Sequence, residues 1–388
     1  MTPDGIRIGF LSHEDPLSYR SWSGALCQMY RALEATGFQV IHIGASVPDT
    51  RTRLSRFEEK LLRRLGWNRL RAAQFRRLVK TYAAKMQSQL EYMPCDVIFA
   101  PRGSLFLSHI RTKLPIIYLS DSTARLSLGY YNNTPYSRRA NEYYELCEAQ
   151  ALARADRIVY FGGSRAADSA VRDYGVDPAK IRIIGAGGNV TVPADIDSIL
   201  SRKQCEQCRL LFIGIDWERK GGDVAIETLD ALARAGIDAM LTVCSAKVPT
   251  AVRKHEGVRF EGFLNKDNPA EAERYHELLC EAHFILVPSR ADNGSFAALE
   301  ANAYGVPAVV RSTGGLVTLI ADGTNGISVP DAADARDFAE AILQIWNDRC
   351  AYQSLVASTR AHYESRPQWS GWGERMTDLV LELVNRRA

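Results

Sequence analysis

The chain has 388 residues, a length that accommodates two domains. Its composition, 46% hydrophobic and 24% charged, is that of an ordinary globular protein that folds without disulfides or structural metals. A net charge of +3 is too small to indicate a nucleic-acid partner. Since neither a secretory signal nor a run of about 18 apolar residues is present, we expect a cytoplasmic protein with reduced cysteines.

Short apolar runs alternate with amphipathic helical stretches, a pattern typical of parallel sheets with crossover helices. In the first half, the predicted strands are Ile6–Leu11, Gln39–Ile43, Asp96–Ala100, Ile116–Leu119, Arg157–Phe161 and Ile181–Ile184. After a polar stretch the pattern starts again, with strands at Arg209–Gly214, Ala239–Cys244, Val258–Glu261, Phe284–Val287, Ala308–Val310 and Gly326–Val329. The predicted fold class is therefore α/β, with two tandem domains.

The restart of this pattern sets the predicted domain boundaries. We assign residues 1–190 to an N-terminal domain, 191–208 to a linker and 209–365 to a C-terminal domain. Residues 366–388 are predicted to form a terminal helix with two tryptophans near its start. Because these side chains need burial, we expect the helix to pack back towards the N-terminal domain.

Residues 51–85 differ from the rest of the chain because they carry twelve cations against two glutamates. Leucines, Trp67 and Phe75 are interleaved at roughly helical spacing. One hypothesis is a solvated pair of helices; the other is a patch that binds an anionic membrane or a phosphate-bearing acceptor, which would place the protein peripherally at the inner face of a membrane. No nucleic-acid-binding motif accompanies the charge, so no nucleic-acid partner is expected.

The most informative segment runs from Val287 to Pro307. A buried strand is predicted to end at Val287, and a helix begins near Phe296. Backbone N–H groups and the positive end of that helix would then lie at the carboxyl edge of the sheet, where open α/β sheets bind ligands. Asp292 and Glu300 bracket this turn, and carboxylates placed there accept hydrogen bonds from the vicinal hydroxyls of a sugar or a ribose.

A second loop follows the strand that ends at Gly214. It carries Arg219 and Lys220, and the two glycines that follow open a helix. Cations beside a helix N-terminus suit a diphosphate that gains negative charge as a sugar leaves.

Together these segments resemble the signature of glycosyltransferase family 4, in which two acidic residues bracket seven others around a glycine turn. By this resemblance, Asp292 should contact the hydroxyls of the donor sugar, and Glu300 should bind the ribose hydroxyls. The backbone between them should meet the sugar and the diphosphate through Gly294, Ser295, Phe296 and Ala297. The family usually has Glu at the position of Asp292, so the shorter side chain is a departure.

The same resemblance implies roles for the cations and for two residues of the first domain. Lys220 matches the family's diphosphate-binding lysine. The family's arginine is replaced by Ile215, and Arg219 is the candidate substitute. Gly24, in the loop after the first strand, matches a glycine that approaches the diphosphate. Asp121 occupies a strand end where many relatives have a histidine near the reacting carbon; capping of the next helix is the alternative role.

The resemblance implies the GT-B fold, two Rossmann-like domains whose parallel sheets face an interdomain cleft, and a retaining, metal-independent hexosyltransferase. A nucleoside-diphosphate sugar would serve as co-substrate without a cofactor. The acceptor would be a hydroxyl, lipid-linked or on a growing glycan, in surface polysaccharide or glycolipid assembly. No metal is expected in the reaction, because no Asp-x-Asp-like motif lies at a suitable strand end and cations already occupy the diphosphate site. A zinc site at Cys205 and Cys208 is not expected either, because no second Cys or His pair follows them. Two alternatives stay open: a nucleotide-sugar epimerase on the same architecture and a non-catalytic nucleotide-sugar-binding protein.

Overall fold

The computed structural model describes residues 3–44, 68–131, 138–161, 163–192, 196 and 206–386. These residues form two compact units. Unit 1 comprises the described parts of Met1–Ile184 and Trp369–Ala388, and unit 2 comprises the described part of Gly185–Gln368. Unit 2 thus begins a few residues before the end of the N-terminal domain assigned from the sequence.

Unit 1 is built on a parallel sheet of order β2-β1-β3-β4-β5-β6. Its strands are β1 (Arg7–Ser12), β2 (Gln39–Gly44), β3 (Val97–Pro101), β4 (Ile116–Ser120), β5 (Arg157–Tyr160) and β6 (Ile181–Ile183). Its helices are α1 (Ala25–Ala35), α2 (Asn68–Tyr92), α3 (Ser104–Leu107), α4 (Ala124–Ser127), α5 (Arg138–Arg154) and α6 (Arg165–Tyr174), with 3-10 turns at Ser21–Gly24 and Pro178–Lys180. The central strands β3 and β4 are buried along their whole length, as their continuous apolar sequences require.

The C-terminal helix (Trp369–Asn385) packs on α1 and completes unit 1. Trp372 is fully buried, and its ring centroid lies 5.9 Å from that of Phe99 in β3. A Cβ at Gly373 would lie 2.9 Å from the carbonyl oxygen of Ala32, so glycine allows the two helices to approach closely. The burial of the tryptophans is therefore achieved within unit 1.

Unit 2 is built on a parallel sheet of order β12-β11-β10-β7-β8-β9. Its strands are β7 (Cys208–Ile213), β8 (Ala239–Cys244), β9 (Val258–Gly262), β10 (Phe284–Val287), β11 (Ala308–Arg311) and β12 (Gly326–Val329). Its helices are α7 (Trp217–Lys220), α8 (Gly222–Arg234), α9 (Thr250–Arg253), α10 (Pro269–Glu281), α11 (Phe296–Ala303), α12 (Leu316–Leu319), α13 (Ala335–Trp346) and α14 (Arg349–Ser365). Each strand predicted from the sequence overlaps one of the observed strands, and the α/β fold class is confirmed.

Both sheets contain a point where the strand order reverses. In unit 1 the chain runs from β1 outward to β2 and then returns to the other side of β1 as β3. In unit 2 it runs from β7 through β8 to β9 and then returns to the other side of β7 as β10. Loops that leave such neighbouring strands diverge and open a crevice at the carboxyl edge, where doubly wound sheets bind ligands.

Candidate active site

The crevice of unit 2 lies between the loops that follow β7 and β10. The two strands are hydrogen-bonded neighbours, with Phe284 opposite Leu210 and Leu286 opposite Phe212. Both strands are apolar and largely buried, so they fix the points at which the two polar loops begin. One loop carries Lys220 and the other carries Asp292, and the fold therefore brings together two site residues that are 72 positions apart in sequence.

Lys220 and Asp292 form an ion pair, with 2.5 Å between Nζ and Oδ2. Their side chains are 18% and 6% exposed, so the pair is largely shielded from water. The hydroxyl of Ser289 also donates to Oδ2 of Asp292 at 3.2 Å. The residue expected to hold the diphosphate and the residue expected to hold the sugar are thus paired with each other in this structure.

Glycine at two positions allows the loop to approach this closely. Gly221 has φ +74°, and a Cβ there would lie 2.2 Å from the carbonyl oxygen of Pro288. A Cβ at Gly214 would lie 2.9 Å from the Cβ of Lys220. A larger residue at Gly214 or Gly221 would therefore force the loops apart. The two glycines thus set the position of Lys220 over the end of β10.

Arg219 is hydrogen-bonded to the loop that carries Asp292. Its Nη1 donates to the carbonyl oxygen of Ala291 at 2.8 Å, and its own carbonyl oxygen accepts from the N–H of Arg290 at 2.8 Å. Its Nε lies 3.3 Å from Oδ2 of Asp216. The guanidinium therefore lies beside the predicted diphosphate site while it holds the two loops together, and its part in the reaction stays a prediction.

The N-terminus of α11 lies directly after Asp292. Ser295 is the N-cap, and its side chain accepts from the N–H of Ala298 at 3.2 Å. Gly294 precedes this cap, and Phe296 and Ala297 form the first helical positions, where the backbone N–H groups point out of the end of the helix. The positive end of the helix dipole is thus placed beside the Lys220–Asp292 pair, which favours an anionic ligand there.

Glu300 lies one turn further along α11 and is buried. Its Oε1 accepts from Nζ of Lys266 at 2.8 Å, and its Oε2 accepts from the hydroxyl of Tyr275. A Cβ at Gly188 would lie 3.1 Å from the Cα of Glu300, so the chain passes close to this residue as it enters unit 2. The predicted ribose-binding carboxylate therefore lies in a dense polar cluster.

In unit 1, Gly24 lies in the loop between β1 and α1. It is buried and has φ +90°, a left-handed conformation that favours glycine. The preceding residues Trp22 and Ser23 also have positive φ, +46° and +58°. Arg102, which follows β3, is the third non-glycine residue with positive φ in the described part of the chain, at +52°. These unusual conformations lie on the loops that follow β1 and β3. The two loops border the crevice of unit 1.

Arg102 and Asp121 lie on neighbouring strand ends of this crevice. The guanidinium of Arg102 lies 5.1 Å from the ring centroid of Trp22, and its backbone N–H donates to the carbonyl oxygen of Leu119 in β4. Desolvation lowers the pKa of Arg102, but neighbouring charges, with Asp121 foremost, raise it overall. The cap of α4 is Thr123, whose side chain accepts from the N–H of Leu126.

Comparison with known proteins finds a family match for part of the chain. Residues 207–348 match the family described as Glycosyl transferases group 1. The resemblance to the glycosyltransferases is therefore confirmed over this region. The matched region contains Lys220, Arg219, Asp292 and Glu300. The residues that carry the resemblance in the sequence therefore lie within the part of the chain that matches the family.

Two curated relatives of this chain are D-inositol 3-phosphate glycosyltransferases. The protein of Xylanimonas cellulosilytica is 28% identical over 256 residues, which cover 62% of this chain and 60% of the relative. That of Acidothermus cellulolyticus is 28% identical over 255 residues, which cover 62% and 56%. The chain thus spans less than two thirds of the length of these relatives.

Solved structures share the fold. Sucrose-phosphate synthase from Thermosynechococcus elongatus has a TM-score of 0.71 at 18% identity, covering 98% of this chain and all of that one. WaaG, a glycosyltransferase involved in lipopolysaccharide biosynthesis, has a TM-score of 0.64 at 15% identity, covering 96% and 99%. Anabaena Alr3699/HepE in complex with UDP and glucose has a TM-score of 0.60 at 14% identity, covering 97% and 100%. The predicted GT-B fold is confirmed.

The structure adds residues that were not predicted from the sequence. Lys266 and Tyr275 engage Glu300, and Arg102 lies beside Trp22. The N–H of Gly315 donates to the carbonyl oxygen of Asp292 at 3.0 Å. Gly314 and Gly315 follow β11, and paired glycines after a strand indicate that another part of the backbone approaches closely. The sequence therefore contained a signal for this last contact.

Several predictions fall partly or wholly outside the described residues. Residues 51–67 of the basic segment and Cys205 are not among them; the rest of the segment belongs to α2. Within the part of the chain that the structure describes, no three His, Cys, Asp or Glu side chains cluster in a way that could hold a metal ion. Among the same residues, no helix is both long and apolar enough to cross a membrane.

Proposed function

We propose that the protein transfers a hexose-type sugar from a nucleoside-diphosphate sugar to a hydroxyl acceptor, with retention of anomeric configuration and without a metal. The observation that carries this proposal is the meeting of the Lys220 and Asp292 loops at the crevice of unit 2, in the region that matches the group 1 glycosyltransferases. Because the matches span only part of the curated relatives, the activity of those relatives is a hypothesis for this chain.

The donor would bind across the carboxyl edge of unit 2. Glu300 would accept hydrogen bonds from the ribose hydroxyls, and the N-terminus of α11 would receive the diphosphate. Asp292 would accept hydrogen bonds from the sugar hydroxyls. Two solved structures with the same fold are complexes with UDP and glucose or with UDP-glucose, which makes uridine the first base to test.

Donor binding would separate the Lys220–Asp292 pair into two ligand contacts. The ammonium group would turn to the diphosphate, and the carboxylate would turn to the sugar. As the bond between the anomeric carbon and the diphosphate oxygen breaks, negative charge grows on the leaving group, and Lys220 and Arg219 would stabilise it. The acceptor hydroxyl would attack from the same face and pass its proton to the leaving diphosphate, so no protein nucleophile is needed.

The acceptor would be positioned by unit 1. Asp121 and Arg102 present opposite charges at neighbouring strand ends, which suits a polyhydroxylated acceptor with an attacking hydroxyl near the carboxylate. Because two relatives are named for inositol 3-phosphate, the panel of acceptors to be tested should include polyol phosphates. Lipid-linked and growing glycan acceptors complete that panel, in the setting of surface polysaccharide or glycolipid assembly.

The test is incubation of the full chain with UDP-, ADP- and GDP-hexoses, with and without the acceptor panel, followed by chromatography of the products. We expect one donor to release its nucleoside diphosphate and one acceptor class to gain the sugar. Lys220→Met should lower this turnover by about 10²-fold or more, whereas the exposed Lys254→Met should not change it. Conversion of the donor into an epimer without acceptor would establish the epimerase alternative, and binding without turnover of any donor would establish a non-catalytic protein.

A further inference from the structure

The carboxylate of Glu300 is held by two side chains from outside its own helix. Lys266 lies in the loop between β9 and α10, and Tyr275 lies in α10. Nζ of Lys266 is 2.8 Å from Oε1 of Glu300, and the hydroxyl of Tyr275 donates to Oε2. Each carboxylate oxygen thus has one protein donor, and each oxygen can accept a second hydrogen bond.

The cluster is shielded from water. The side chains of Lys266 and Glu300 are 16% and 3% exposed, and Tyr275 is buried. Lys266 also donates to the carbonyl oxygen of Asn189 at 3.2 Å and lies 4.9 Å from the ring centroid of Tyr275. A cation and a hydroxyl donor, each bound to one oxygen, hold the Glu300 carboxylate in one rotamer.

We propose that Lys266 and Tyr275 are positioning residues that orient the Glu300 carboxylate towards the 2′- and 3′-hydroxyls of a ribonucleotide. Lys266 thereby sets the preference for ribose over the 2′,3′-dideoxy sugar. The inference rests on the proposed function, because it assumes that the Glu300 site receives the nucleoside. It assigns to Lys266 an effect on nucleotide binding that acts through Glu300.

A purely structural role for Lys266 makes a different prediction. If the lysine only stabilised the fold, its removal would change affinity equally for nucleotides with and without ribose hydroxyls. If it acts through Glu300, its removal weakens binding of the ribonucleotide and leaves the dideoxy analogue nearly unaffected. The ratio of the two affinities therefore separates the roles, and it does not depend on the fraction of protein that is folded.

The experiment measures binding of UDP, ADP and GDP and of their 2′,3′-dideoxy analogues to the full chain by titration calorimetry. For the nucleotide that binds best, we expect the wild type to prefer the ribose form by about tenfold or more. Lys266→Met should reduce this preference at least about threefold, and Tyr275→Phe should reduce it in the same direction while the cation remains. Lys254→Met, an exposed lysine of the same unit, is the matched control and should keep the wild-type preference.

An unchanged preference in Lys266→Met and Tyr275→Phe would overturn the inference, whatever happens to absolute affinity. A wild type that binds both forms equally would also overturn it. In either case the proposed function survives if donor turnover is observed. A wild type that binds no nucleotide and turns over no nucleotide sugar would overturn the proposed function itself.

Discussion

The Lys220–Asp292 pair makes a prediction about stability that follows directly from its geometry. Removal of one partner leaves the other charged and largely buried, which typically costs 3–5 kcal/mol. Because Lys220 is 18% exposed, water reaches the pair from its side, and we expect a cost of about 3 kcal/mol for Lys220→Met. For a unit of this size, that cost corresponds to a fall of about 6–12 °C in the unfolding midpoint of unit 2.

Thermal unfolding of Lys220→Met, Asp292→Asn and the double variant tests this reasoning. The double variant removes both charges, so its cost should fall short of the sum of the single costs by about 1–3 kcal/mol. Lys254→Met controls for loss of an exposed lysine and should unfold with the wild type. Single variants with wild-type midpoints, or costs that simply add, would show that the pair is not a coupled, shielded interaction. A nucleotide sugar in excess should raise the wild-type midpoint and should raise that of Lys220→Met less.

Three further predictions concern unit 1. Asp121→Asn keeps the shape and removes the charge, so donor affinity and unfolding midpoint should be retained while sugar transfer falls; loss of stability with unchanged specific activity would favour a structural role. Burial raises the pKa of Glu148 from 4.5 to about 7, so the folded state loses stability as pH rises from 4.5 through 7. Glu148→Gln lacks this titration, so its free energy of unfolding relative to that of the wild type should rise by up to about 3 kcal/mol between pH 5 and pH 8. Thermal unfolding at both pH values measures this, and a difference that does not change with pH would contradict it. Arg76 and Arg77 are exposed on α2, and their replacement by Gln should reduce co-sedimentation with anionic vesicles at low salt; wild-type protein that binds no vesicles would favour a soluble acceptor.

The strands could be predicted because burial on both faces of a parallel sheet leaves a visible trace in sequence. β10 is Phe-Ile-Leu-Val and is buried throughout, and β3 and β4 show the same pattern. Lys220 and Asp292 could be found for a related reason. Glycines and charged residues directly after such a strand mark the edge at which ligands bind, and the family signature adds to this local signal.

Lys266 and Tyr275 could not be predicted as part of the site. They lie 34 and 25 positions before Glu300, one in a polar loop and one in an amphipathic helix, where each is unremarkable. Only the return of the chain from β9 to β10 brings them to the same carboxylate. Arg102 was missed for another reason, since nothing in the sequence Pro-Arg-Gly indicates a left-handed arginine.

The central claim is that unit 2 binds a nucleoside diphosphate through Glu300. The most direct measurement is the affinity of the wild type and of Glu300→Ala for UDP, ADP and GDP, determined by titration calorimetry on the full chain. We expect one nucleotide to bind the wild type, and the variant to bind it about 5- to 150-fold more weakly, which corresponds to 1–3 kcal/mol for unpaired ribose hydroxyls. Equal affinity of the two proteins for every nucleotide, or no binding by the wild type, would contradict the claim.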